Sequence, residues 1–406
     1  VDNGFELNEF DDICDVYIIN TCSITEVSDA KSRKIIRQAI KRNPNAIIAV
    51  MGCYAQLKPQ DIQGIEGVDV IVGTNNRHLL YDLVINAMKS KDQSMIVEDI
   101  FKVKQYEEIK LKRYNNKTRG FIKIQDGCNN LCSYCTIPYA RGTVRSRHHK
   151  DIVDEIQILT DQGMKEIVLT GINTASYGQD FKDYDFADLL LEIITNVKGL
   201  GRLRISSIEV TEVTDKILKV ISENKEKFCH HFHIPLQGGT DKTLERMHRK
   251  YNIDFYKAKI KQVREIFPDV NITTDVLTGF CGETDQDFQD TCNLIKEIGF
   301  GELHVFPYSR RPETVAYNYP DQVNEITKHI RVNELLRINE DIALNYRNKF
   351  LDKPVEVIVE KVHNGVAYGH SSNYLEVEFK GNVKPNELVN VRVVEVGYPK
   401  SKGVIA

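Results

Sequence analysis

Three cysteines stand close together at Cys128, Cys132 and Cys135, in a C-x3-C-x2-C run. Thiolates on so short a loop can reach neighbouring irons of an iron–sulfur cluster. Three thiolates on a four-iron cluster leave one iron open. An open iron can hold a small molecule through its amino and carboxylate groups, as S-adenosylmethionine (SAM) is held for reductive cleavage. The competing chemistry is a zinc knuckle, but zinc takes four ligands, and no fourth cysteine stands at a short offset.

Two more cysteines fall where α/β proteins place function, in the loops after the carboxyl ends of parallel strands. Cys22 follows the strand-like run Val16-Tyr-Ile-Ile19, and Cys53 follows Ala46-Ile-Ile-Ala-Val50. Cys14 precedes the first of these strands and reads as a small, partly buried residue, as do Cys229 and Cys292 within predicted elements. Nine cysteines is an odd number in a chain of 406 residues. No secreted disulfide pattern is present, so a reducing, cytoplasmic setting is expected.

The elements that must position these residues alternate between strand and helix, which predicts α/β architecture with parallel sheets. Residues 1–95 read as a small parallel α/β domain, with Ser28 or Asp29 capping its first helix, and residues 96–118 as a linker. Residues 119–349 hold six candidate strands: Phe121–Ile124, Glu166–Thr170, Leu203–Ser207, His230–Ile234, Ile272–Leu277 and Leu303–Phe306. Six βα units predict an open, partial (βα)6 barrel, with chemistry at its C-terminal rim. A long helix from about Val323 to Phe350 precedes a small all-β barrel over residues 350–406, built from short alternating runs.

The run Gly127-Cys-Asn-Asn-Leu-Cys-Ser-Tyr-Cys-Thr-Ile-Pro-Tyr-Ala-Arg-Gly142 resembles that of the radical-SAM methylthiotransferases. Asn20-Thr-Cys22 and Gly52-Cys-Tyr-Ala-Gln56 are similar to their N-terminal domain. Leu169–Asn173, Ser206–Glu209, His233–Gln237 and Asp275–Glu283 are similar to their SAM barrel, and the tail to their RNA-binding TRAM domain. The basic helix after Cys22 resembles the branch acting on tRNA threonylcarbamoyladenosine.

The resemblance implies two 4Fe-4S clusters and SAM. One cluster would sit on Cys128, Cys132 and Cys135. The other would sit on Cys22, Cys53 and a third cysteine in a segment upstream of Val1, which is expected to be missing from this chain. It further implies Tyr134, Gly171, Asn173, Glu209, Gln237 and Arg249 as cofactor-binding residues. The expected reaction adds a methylthio group to carbon 2 of threonylcarbamoyladenosine beside the anticodon. Sibling substrates are isopentenyladenosine in tRNA and an aspartate of a ribosomal protein. A different reading is a non-catalytic tRNA-binding protein with an incomplete auxiliary cluster.

Net charge is −4, so bulk charge does not announce a polyanion partner. The bases are uneven, however. Lys31, Arg33, Lys34 and Arg37 share one helix; a second stretch runs from Lys110 to Lys123, and a third holds Arg141 and Arg145. These are the expected contacts to a tRNA anticodon stem-loop, with Tyr368, Tyr374 and Tyr398 as stacking platforms in the tail. An electron-donating protein and a sulfur donor are the further expected partners, with no membrane and a monomeric state. His231 and His233 alternate on one strand; packing is the expected role, and a metal pair the alternative.

Overall fold

Ile47-Ile-Ala-Val-Met-Gly52 is apolar at consecutive positions, as a strand buried on both faces must be. It pairs in a parallel sheet of order β1 (Val16–Thr21), β2 (Ile47–Gly52), β3 (Val70–Val72) and β4 (Ser94–Ile96). One face packs Tyr17, Ile19, Ile48 and Val50 with Ile36 and Ala39 of the helix Glu26–Arg42. The other packs Ile47, Ala49 and Val70 with Val84 and Ala87 of the helix Leu80–Ser90. Thr25 caps the first of these helices, its Oγ1 accepting from Ser28 N–H at 3.2 Å. The expected caps do other work: Asp29 is buried and accepts hydrogen bonds from Ser23 Oγ and Arg311 Nη2.

The computed structural model describes residues 3–90, 92–109 and 118–406, in two compact units. The first combines Val1–Ile109 with Gly127–Thr143 and Ser309–Tyr317; the second combines Lys110–Asp126, Val144–Tyr308 and Asn318–Ala406. Residues 96–109, read above as linker, therefore belong to the first unit, and so does the loop carrying Cys128, Cys132 and Cys135. The basic stretch from Lys110 to Lys123 lies outside the described residues over 110–117.

In the second unit the chain forms β5 (Arg119–Lys123), β6 (Gln125–Asp126), β7 (Arg145–Ser146), β8 (Glu166–Thr170), β9 (Arg202–Ile205), β10 (His231–His233), β11 (Asn271–Thr278) and β12 (Glu302–Pro307). β5-β8-β9 and β10-β11-β12 are parallel sheets, joined by the parallel bridges Leu203↔Phe228 and Ser207↔His233. All six predicted barrel strands are thus present. Alternate residues such as Ile122, Ile167, Leu169, Leu203, Ile272 and Val276 pack outward on the helices. The intervening positions face the barrel interior. β6 and β7 pair with each other, so the excursion Gly127–Thr143 leaves and rejoins this unit at one point.

The tail closes a barrel of order β13 (Pro354–His363), β14 (Val366–Ser371), β15 (Glu376–Lys380), β17 (Lys400–Ile405), β16 (Leu388–Glu395). It abuts the N-terminal ends of the parallel strands. Glu166, which begins β8, accepts from Arg202 Nε and Arg204 Nε, each at 2.7 Å. Those arginines also donate to tail carbonyls: Arg202 to His370, and Arg204 to Ser371 and Ser372. Tyr374 stacks between His231 and His370, each at 4.6 Å, under the Arg204 guanidinium at 4.8 Å. Tyr374 is therefore packed and offers no open platform. Tyr398 is held by Asn339 Nδ2 and covered by Arg347. No helix among the described residues is long and apolar enough to cross a membrane.

Candidate cysteine centres and cofactor site

In the first unit, β1 and β2 run in register to their last residues, Thr21 opposite Gly52. Cys22 and Cys53 each come one residue later, so two thiols leave neighbouring strands at the same level. Gly52 has φ +102, and a Cβ there would lie 2.5 Å from Asn20 Oδ1 and from Thr21 O. Only glycine lets the chain turn that closely into Cys53. Cys14 lies at the other end of β1, and six residues of strand span about 20 Å. It packs beside the sheet core, its N–H bonded to Tyr17 Oη, and cannot join them.

The C-x3-C-x2-C loop is wound tightly by its own backbone. Cys128 N–H donates to Gly142 O and Cys135 N–H to Cys132 O, both at 3.0 Å. Leu131 takes a left-handed φ of +49, and Gly127 lies where a Cβ would meet Thr143 O at 1.9 Å. The winding leaves all three thiols partly exposed, whereas Cys229 and Cys292 are buried in the second unit. Burial pushes the thiols of those two up to about 11, which keeps them protonated packing groups. Three partly exposed thiols on a rigid loop fit a three-thiolate iron–sulfur cluster.

This loop lies against the strand ends that carry Cys22 and Cys53. Thr136 Oγ1 donates to Ser23 O, Thr74 Oγ1 to Ala140 O at 2.6 Å, and Arg141 Nε to Cys53 Sγ at 3.2 Å. Both groups of cysteines thus share one compact unit. Arg141, expected as an RNA contact, is half-buried and turns its Nε to the Cys53 thiol. Buried Arg311, absent from the sequence-based site, donates to Ser23 and Asp29 and braces the residue after Cys22. Of the expected RNA contacts on the helix Glu26–Arg42, Lys31, Lys34 and Arg37 are exposed, while Arg33 is tied to Tyr54 Oη at 2.8 Å.

In the second unit, Glu209 and Arg249 form a buried pair through Oε2 and Nη2. Glu209 Oε1 is buried with no hydrogen-bond partner among the described residues. A buried, unsatisfied carboxylate oxygen calls for a donor from outside the chain, which fits a ligand carrying hydroxyl or ammonium groups, as SAM does. Gln237 adopts φ +65 and is fixed by its backbone, its N–H on Asp275 O and its C=O taking Leu277 N–H. Gly171 begins a loop organised by Gln125, whose Oε1 accepts from Ile172 and Asn173 N–H. Asn173 is buried and donates its amide to Ser176 Oγ, so it shapes this loop from within. Arg145 is 3% exposed and faces Asp126, which removes it from any RNA-facing surface. Tyr134, in the first unit, is half-buried.

A family model described as the radical SAM superfamily matches residues 122–295, and one described as uncharacterized protein family UPF0004 matches residues 1–73. The threonylcarbamoyladenosine tRNA methylthiotransferase MtaB of Bacillus subtilis is 41% identical, covering 98% of this chain and 90% of its own length. MtaB of Aquifex aeolicus is 35% identical over 97% and 94%. A tRNA-2-methylthio-N(6)-dimethylallyladenosine synthase of Thermoanaerobacter pseudethanolicus is 36% identical over 88% and 77%. Among solved structures, the radical SAM methyltransferase TsrM of Kitasatospora setae superposes with a TM-score of 0.56 at 15% identity. That match covers 74% of this chain and, at 63%, under two thirds of the other, and it speaks to the fold alone. With its cysteine loop, its six-stranded parallel barrel and full-length relatives of this kind, the chain belongs to the radical-SAM tRNA methylthiotransferases.

Proposed function

We infer that the protein adds a methylthio group to carbon 2 of threonylcarbamoyladenosine beside the anticodon of tRNA. The observation that carries this is the 41% identity to an MtaB over 98% of the chain. The intact Cys128, Cys132 and Cys135 loop supports it. Those three residues would hold the SAM-binding cluster, while Cys22 and Cys53 would hold an auxiliary cluster with one further ligand. When bound, the first cluster supplies the electron that splits SAM into methionine and a deoxyadenosyl radical.

The chain's own residues do the positioning. Glu209 Oε1 would accept from SAM, with Arg249 fixing the carboxylate's orientation. Gly171 and Gln237 would lie along the methionyl and ribose groups, and Tyr134 would pack on the adenine. Asn173 would act indirectly, through the loop it shapes. Lys31, Lys34 and Arg37 would meet the phosphates of the anticodon stem-loop. A reducing protein and a sulfur donor complete the set of partners, in the cytoplasm.

The test is mass spectrometry of tRNA nucleosides from cells lacking the gene. Loss of methylthiolated threonylcarbamoyladenosine with accumulation of its precursor is the expected result. Loss of the methylthiolated dimethylallyl nucleoside instead would assign the sibling substrate, the activity named for other relatives at similar identity. An unchanged profile would overturn the assignment.

A further inference from the structure

The interior of the parallel barrel brings together three side chains from three neighbouring strands: His233 on β10, Asp275 on β11 and His304 on β12. His233 is in register with Thr273, and Asp275 with His304. Their neighbours Phe232, Ile272, Val276 and Leu303 belong to the outer core. By strand alternation, the three polar side chains point the other way, into the barrel.

Asp275 Oδ1 lies 3.3 Å from His233 Nε2 and 3.2 Å from His304 Nδ1. All three ligand atoms lie within 4.8 Å of one another. For metal–ligand bonds of about 2.1 Å, ligand atoms stand about 3.0 to 3.4 Å apart in octahedral or tetrahedral geometry. The two measured separations fall in that interval. His233 Nδ1 is engaged by Thr273 Oγ1 at 3.0 Å, which leaves Nε2 as the coordinating nitrogen. Such an outer bond to the second ring nitrogen accompanies most histidine ligands. The two imidazoles stack at 5.1 Å, which holds their orientation. Exposure rises from 13% at His233 to 26% at Asp275 and 50% at His304. The cluster is therefore anchored on one side and open on the other.

We propose that His233, Asp275 and His304 form a mononuclear site for a divalent transition-metal ion, with no cysteine among its ligands. Two imidazoles and one carboxylate suit zinc, iron(II) or manganese(II), and three protein ligands leave coordination positions for water or an exchangeable oxygen. The site is independent of the methylthiolation reading, because it is defined by metal binding alone.

The experiment is calorimetric titration of zinc into the full-length, cluster-loaded protein after chelation of loosely held metal, followed by zinc-edge X-ray absorption. Iron in the clusters does not interfere at the zinc edge. The expected result is one zinc per chain with nitrogen and oxygen neighbours. Asp275→Asn and His304→Ala should each weaken binding by at least about tenfold. His304 is half exposed, so its variant tests binding with little demand on folding. Thr273→Val, which removes only the outer bond, should also weaken binding. Zinc surrounded only by sulfur, or an affinity unmoved by all three substitutions, would overturn the proposal.

Discussion

Arg141 Nε donates to Cys53 Sγ at 3.2 Å, joining the loop of the three-cysteine run to a cysteine that follows the second strand of the N-terminal sheet. A guanidinium hydrogen bond of this kind fixes where the sulfur points. Arg141→Gln should therefore lower iron retention at the Cys22 and Cys53 centre by about 10- to 100-fold in affinity. Arg141→Lys should recover part of it. Mössbauer spectroscopy of enriched protein, with a Cys132→Ala background to isolate that centre, reads the effect. Equal iron in wild type and both variants would show the contact to be incidental.

Cys132 lies at the middle of the wound loop, with its carbonyl taking the Cys135 N–H. Cys132→Ala removes one of three thiolates and should abolish reductive cleavage of SAM while leaving the fold intact. Chromatography of deoxyadenosine after incubation with dithionite decides it; continued product formation would exclude the assigned role.

Glu166 should set an acid limit on stability. Burial alone would raise its carboxyl, but Arg204, Arg202 and Arg119 outweigh that and hold it at about 2. A folded value below the unfolded one, near about 4.3, contributes stability above that pH. The contribution fades as pH falls toward 2. Glu166→Gln removes the buried carboxylate that the Arg202 and Arg204 guanidinium groups share, at a cost of about 3–5 kcal/mol. It should also flatten the acid limb of a melting-temperature profile. A variant with the wild-type acid limb would place that dependence elsewhere.

Lys31, Lys34 and Arg37 are exposed on one helix. Replacing all three with Glu should weaken tRNA binding and lower the slope of log affinity against log salt, by about 0.7–0.9 for each phosphate no longer neutralised. Filter binding over a salt series measures both. An unchanged slope would mean that this helix does not meet the phosphates.

Much of this was legible because it depends on local pattern. Strand alternation located all six barrel strands, and cysteine spacing located the wound loop. Cys22 and Cys53 were found as residues following strands, and their matched level follows from parallel register. What was not legible depends on tertiary pairing. Arg141 and Arg145 look alike in a basic stretch, yet one meets a thiol and the other an aspartate. β17, Lys400-Ser-Lys-Gly-Val-Ile405, lacks clean alternation and forms because β15 and β16 offer it two edges. His304 carried a usable signal: it shares the inward parity of its strand with the polar positions of β11. The pairing that sets it opposite Asp275 is a matter of sheet order, which one chain's sequence does not state.

The tail barrel, expected as an RNA-binding appendage, seals the lower end of the parallel barrel with Tyr374 and with carbonyls that take up the Arg202 and Arg204 guanidinium groups. Removing it would therefore not yield a catalytic core minus an accessory. It would uncover Glu166 and its arginines and admit water from beneath, so a truncated enzyme's lost activity could not be assigned to lost RNA affinity.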